Sequence, residues 1–161
     1  MRDTKAVINS YGEFSEWLGT LKELSNEEWV KPISEGKWSV REVISHFMNW
    51  DNYLIATVVP LVKDGEPFGF PKFDAFNKLA SSYATSGISK DDLLDEVILT
   101  RNHLIQVLKD MPEEVITKSL PVGGQTHCPH TGEPYSLIYI IQEFIEHDLH
   151  HKKQLQEVLN K

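Results

Sequence analysis

Cysteine is nearly absent: Cys128 is the only one in 161 residues. That excludes an internal disulfide framework and a four-cysteine zinc site. Positive charge is also scarce, with 16 Lys and Arg against 24 Asp and Glu, a net charge of −8. Nucleic-acid binders need basic patches to neutralise phosphates, so no nucleic-acid partner is expected. No apolar run approaches the roughly 18 residues of a membrane span, so no membrane partner is expected either. The first residues, Met1-Arg2-Asp3-Thr4, lead into an amphipathic segment and not an apolar one. They carry no secretory pattern, and a cytoplasmic location is the expectation. Also missing are strand-period alternation, internal repeats, a G-x-S-x-G elbow, a glycine-rich phosphate loop and an H-E-x-x-H helix.

What is present is aromatic and helical. Four Trp, seven Phe and five Tyr supply material for a packed core, and the length suits one domain over residues 1–161. Val7, Tyr11, Phe14, Leu18 and Leu21 recur at helical spacing from about Thr4 to Leu24. Ser39 and Glu42 form a capping box that opens a second helix, with Trp38 placed as its staple. Val43, Phe47, Trp50, Leu54, Val58 and Leu61 form its buried stripe, and Pro60 predicts a kink or an end there. A shorter helix over Phe73–Tyr83 and a long one from Ser89 to about Lys109 follow, the latter carrying Arg101 on its apolar face. Pro121–Pro134 is one long irregular stretch. The last helix runs from Leu137 to Leu159. The whole predicts an all-α fold, an up-down four-helix bundle with one short additional helix.

The last helix carries the chemistry. Leu137, Ile140, Ile141, Phe144, Leu155 and Val158 make one stripe, and His147, Asp148 and His151 interrupt it. Titratable groups on a buried face need partners, or their burial costs several kcal/mol. His147 and His151 stand at i and i+4, within reach of one divalent ion. His46, flanked by Trp50 and Tyr53 on the second helix, is the best third ligand. Three imidazoles leave a position open for water or substrate. His150 falls off the stripe, facing solvent or backing the site. Asp148 either orients a ligand imidazole or pairs with Arg101 or a lysine. His127-Cys128-Pro129-His130 is spaced too tightly for one ion and reads as a surface loop, with a lid over the site as the alternative. His103 reads as structural. Protonation competes with metal, so occupancy is expected to fall below about pH 6.

Two stretches resemble a known family. Gly36-Lys37-Trp38-Ser39-Val40-Arg41-Glu42-Val43-Ile44-Ser45-His46 is similar to the W-[ST]-x-x-[ED]-x-x-x-H opening of the second helix in DinB/YfiT-like proteins. His147-x3-His151-Lys152-x-Gln154 is similar to their H-x3-H-[RK]-x-Q signature, with Lys152 where Arg is more usual. The resemblance implies a four-helix bundle holding a divalent metal, zinc or nickel before others, on His46, His147 and His151. It also implies a metal-dependent hydrolase, or a transferase using a low-molecular-weight thiol as co-substrate, acting on a small molecule. Trp50 and Tyr53 would line the approach. The competing expectation is a non-enzymatic bundle that binds a small molecule or protein partner around a structural or vestigial metal site. The wealth of aromatics in Trp17, Trp29, Trp38, Phe68, Phe70, Phe73 and Phe76 predicts a homodimer.

Overall fold

The structure is a computed structural model, and it describes residues 3–159. The ends of the expected domain, residues 1–2 and 160–161, lie outside it. Four long helices form the body: α1 (Thr4–Thr20), α3 (Val40–Tyr53), α6 (Lys90–Lys109) and α8 (Leu137–Leu159). The shorter α5 (Phe73–Ala84) packs along α3. Two single-turn helices, α2 (Asn26–Trp29) and α7 (Glu113–Ile116), sit in the connections. No helix among the described residues is long and apolar enough to cross a membrane.

The four-helix bundle expected from periodicity is therefore present, with a particular order. Helix α1 packs on α6 and α8, and α3 packs on α6 and α8, which puts α1 and α3 on a diagonal. Ser15 bonds Asn102, while Thr4 at the other end of α1 bonds Glu113, so α1 and α6 are antiparallel. Val43 and Ile44 share a cluster with Leu93 and Leu94, whereas Val58 and Val62 share one with Leu104 and Leu108. Helices α3 and α6 consequently run in the same direction, and the long connection through α5 makes that crossover possible.

The start of α3 follows from its capping box. The Glu42 carboxylate accepts from the Ser39 backbone N–H at 3.0 Å and from its hydroxyl at 2.8 Å, satisfying a donor that the helix end leaves free. Glu42 also accepts from the Ser81 hydroxyl, and Asn49 donates to the Phe76 carbonyl at 2.9 Å, fastening α5 to α3. Pro60 does not end the helix. A π-helical turn, Leu54–Val58, precedes it and leads into a last segment, α4 (Val59–Lys63), with Val59 N–H bonded to Leu54 O. The wider turn makes room for a ring that would otherwise strike the carbonyl four residues back. Leu61, in phase with Val43 on a straight helix, is only half-buried, and Val62 is buried in its place.

Two apolar clusters fill the interior. One gathers Tyr11, Leu54, Leu104 and Leu137; the other gathers Leu18, Phe47, Leu94 and Leu155. Between them lies a buried polar layer. Arg101, 1% exposed, donates to Asp51 at 2.7 and 3.2 Å, to Asp148 at 2.9 Å and to the Tyr11 carbonyl at 3.2 Å. The Tyr11 hydroxyl closes the set on Asp51 at 3.1 Å. Every long helix contributes a residue, so the layer sets the rotation and height of α8 against the other three.

Candidate metal centre

His46 projects from the middle of α3, and His147 and His151 from successive turns of α8. One ring nitrogen from each lies within 4.8 Å of the others, and among the described residues no other His, Cys, Asp or Glu joins the group. Nε2 of His147 and Nε2 of His151 are 3.1 Å apart. Two nitrogens each about 2.0–2.1 Å from a tetrahedral ion stand about 3.3 Å from one another, so this pair already has nearly the spacing of shared ligands. The His151 Nδ1 pairs with Gln154 Oε1 at 2.9 Å. An amide oxygen only accepts, so Nδ1 carries the proton and Nε2 keeps its lone pair. His46 Nδ1 and Asn77 Oδ1 are both buried without a well-formed hydrogen bond, although Asn77 lies close enough to raise the proton affinity of His46.

Burial keeps these rings neutral. His46 is 4% exposed, and burial, reinforced by His147 and His151, holds its pKa down to about 3. Burial and then His151 lower His147 to about 4, and burial lowers His151 as well. Neutral imidazole is the form that ligates a metal.

The histidines stand at one end of a cavity of about 640 Å³. Trp50 is the centre of its aromatic wall, with ring centroids 4.4 Å from Phe76, 5.8 Å from Phe70 and from Phe73, and 5.9 Å from Phe144. Trp38 is edge-on to His46 at 5.4 Å and so reaches the site as well as stapling α3. Cys128, His130, Tyr135 and Glu143 complete its lining.

Some expectations change here, and for Asp148 and His150 one of two alternatives is selected. Tyr53 does not line the cavity. It backs the wall, 5.9 Å from the Trp50 ring, with its hydroxyl donating to the Gly69 carbonyl. Asp148, one residue beyond His147, is rotated into the interior, where it pairs with Arg101 and touches no imidazole by hydrogen bond. His150 is exposed, with its ring 5.6 Å from that of His151. His103 is exposed. The Pro121–Pro134 stretch is not a free surface loop. Gly123 and Gly124, at φ of 59° and 82°, turn it back so that Val122 N–H bonds Gln125 O, and Gly123 N–H bonds Phe68 O at 2.9 Å. A second bend, with Cys128 N–H on Glu133 O at 2.8 Å, brings Cys128 and His130 into the cavity wall. The Tyr139 hydroxyl and the backbone N–H groups of Thr131 and His130 donate to the Cys128 sulfur and lower its pKa to about 6. Asn77 was not singled out from the sequence, and Phe70 and Phe144 were named there only as an interface aromatic and a core residue. Only helical phase, with Asn77 one turn from Phe73, hints at the first.

The profile of the DinB superfamily matches residues 13–155. The chain belongs to the DinB superfamily. Among curated proteins none matches it. Among solved structures it is similar to YfiT from Bacillus subtilis, described as "a probable metal-dependent hydrolase with an unusual four-helix bundle topology". That similarity has a TM-score of 0.73 at 15% identity and covers 96% of this chain and 85% of the other, so it is a likeness of fold. In this DinB superfamily member both motif segments, with His46 on one and His147, His151 and Gln154 on the other, meet at one end of the cavity.

Proposed function

We propose that the chain is a metal-dependent enzyme whose divalent ion is held by His46, His147 and His151. The supporting observation is the convergence of three neutral, shielded imidazoles in the wall of an aromatic cavity, with no fourth His, Cys, Asp or Glu beside them among the described residues. A closed structural site takes four protein ligands, whereas three leave a position for reactants. Zinc and nickel suit the all-imidazole donor set. The bound ion would supply Lewis acidity for activating water, in a hydrolase, or a low-molecular-weight thiol, in a transferase.

The chain's own residues perform the remaining tasks. Gln154 fixes the His151 ring so that its Nε2 lone pair faces His147. Ligation through the other nitrogen of His46 leaves Nδ1–H to donate to Asn77 Oδ1, which satisfies two buried atoms at once. Trp50, Phe70 and Phe144 exclude bulk water from one side of a small-molecule substrate. Assembly as a homodimer belongs to the same reading. Leu79, Tyr83 and Leu99 are 64%, 38% and 71% exposed and line one groove between α5 and α6 together with Asn49, Asn52 and Glu96, and these three apolar side chains are what a second copy would cover. Elemental analysis of protein purified without a histidine tag or added metal tests the site. One equivalent of metal is expected in the wild type and none in His151→Ala, with helicity retained. Equal metal content in the two proteins overturns the reading.

A further inference from the structure

The cavity restricts what it can hold beyond the need to reach the histidines. Among the described residues no Lys or Arg lines it, and its one carboxylate is Glu143, on α8 one turn before His147. An anionic group placed there meets no counter-charge and is repelled, and expelling its water is costly. Cys128 adds to the lining a sulfur that already accepts from Tyr139 and two backbone N–H groups. The walls are rings locked edge to face: Trp50 meets Phe70 at 73° and Phe73 at 68°, and Phe70 meets Phe144 at 67°. Such a wall is suited to a flat apolar body. Phe73, at the first turn of α5, is 60% exposed although its ring touches Trp50. A large aromatic left in water at the rim is surface that a bound ring would cover.

We propose that the cavity takes an aromatic small molecule without phosphate or carboxylate groups, its ring against Trp50, Phe73 and Phe144 and a hydrogen-bond donor, an amine or hydroxyl, at Glu143. This assignment builds on the proposed site but not on its metal. The substrate then has a polar tip held by Glu143 and a reacting group that faces the histidines.

Calorimetric titration of the full chain, as purified and after chelation, with 2-naphthylmethylamine, 2-naphthylmethanol and 2-naphthyl phosphate tests this. The amine and the alcohol are expected to bind one to one in both preparations. After chelation the phosphate is expected to bind at least tenfold more weakly than the alcohol. Phe73→Ala, at an exposed position that leaves the fold intact, is expected to weaken amine binding about fivefold. Glu143→Gln is expected to weaken the amine more than the alcohol and so remove the amine's advantage. Equal affinity for phosphate and alcohol in chelated protein, or failure of both neutral and amine probes, overturns the proposal. So does unchanged amine binding in Phe73→Ala. A wild type that contains no metal would remove the metal reading and leave these titrations as they stand.

Discussion

Arg101→Met removes the one cation from the layer that sets α8 against the other long helices. Arg101 and Asp51 are each 1% exposed and Asp148 is 4% exposed, so little solvent screens what remains. The change leaves two carboxylates facing each other in an apolar interior and takes a second donor from the Tyr11 carbonyl. It also removes the guanidinium from the Tyr11 ring, over which it sits 4.0 Å from the centroid. Breaking a buried ion pair by deleting one partner costs about 3–5 kcal/mol, a third or more of the usual stability of a domain. Asp148→Asn should be far milder. Burial already pushes the Asp148 carboxyl up to about 7, against the pull of Arg101, so the amide resembles its protonated form. Arg101 also keeps both bonds to Asp51. A loss of about 1 kcal/mol is expected. Urea unfolding at neutral pH, followed by far-ultraviolet circular dichroism, gives both numbers. An Arg101→Met loss below about 1 kcal/mol, or an Asp148→Asn loss as large as that of Arg101→Met, would refute the reasoning.

Chelated protein should lose stability as pH falls. His46 and His147 titrate at about 3 and about 4 when folded but near 6.5 when unfolded, so the unfolded chain gains protons first. Asp148, raised to about 7, and Asp51, also raised by burial, work in the opposite sense. His46, His147 and Asp148 together give a loss of about 1–2 kcal/mol between pH 6.5 and pH 5, His151 adds to it and Asp51 offsets part, and stability that rises over this range contradicts the assignment. For the same reason metal occupancy should persist below the pH 6 expected from an ordinary histidine, falling nearer pH 4–5; release of half the metal above pH 6 argues against these ligands. Iodoacetamide should alkylate Cys128 with a half-maximal rate near pH 6, and a midpoint near 9 would show that the donors around its sulfur are not formed. Light scattering should give about twice 18.5 kDa for the wild type and 18.5 kDa for Leu99→Glu; a wild-type monomer at every concentration removes the dimer.

The histidines were legible because they break a rule. A helix with one apolar face gains nothing from placing His147 and His151 on it unless something uses them, and spacing of four pairs them. His46 was legible by its aromatic flank and its distance from a capping box that local sequence alone specifies. Asp148 was ambiguous because its partner is remote: Arg101 stood out as a cation on an apolar face, but no local pattern joins the two. Glu143 shares its helix face with His147, four residues on, but Asn77 and Cys128 reach the cavity only after α5 docks on α3 and the residue 121–134 segment folds back onto Phe68. Those are tertiary events with no period in the sequence. The aromatics that suggested a surplus were in part misread for the same reason. Trp29 and Phe68 are core, while Phe70, Phe73 and Phe76 build the wall around Trp50.

The π turn at Leu54–Val58 divides α3 into lengths that answer to different neighbours. Residues 40–53 hold His46, Trp50 and Asp51 and pack with α5, whereas residues 58–62 pack under α7 and the far end of α6. A helix with one extra residue in a turn behaves as two shafts joined by a coupling: each can be phased without turning the other. Deleting one residue from the coupling should reset Val59 and Val62 against α6 and leave the imidazole of His46 where it is. For protein engineering, the distal shaft is then the place to adjust stability, because rotating it does not move the site.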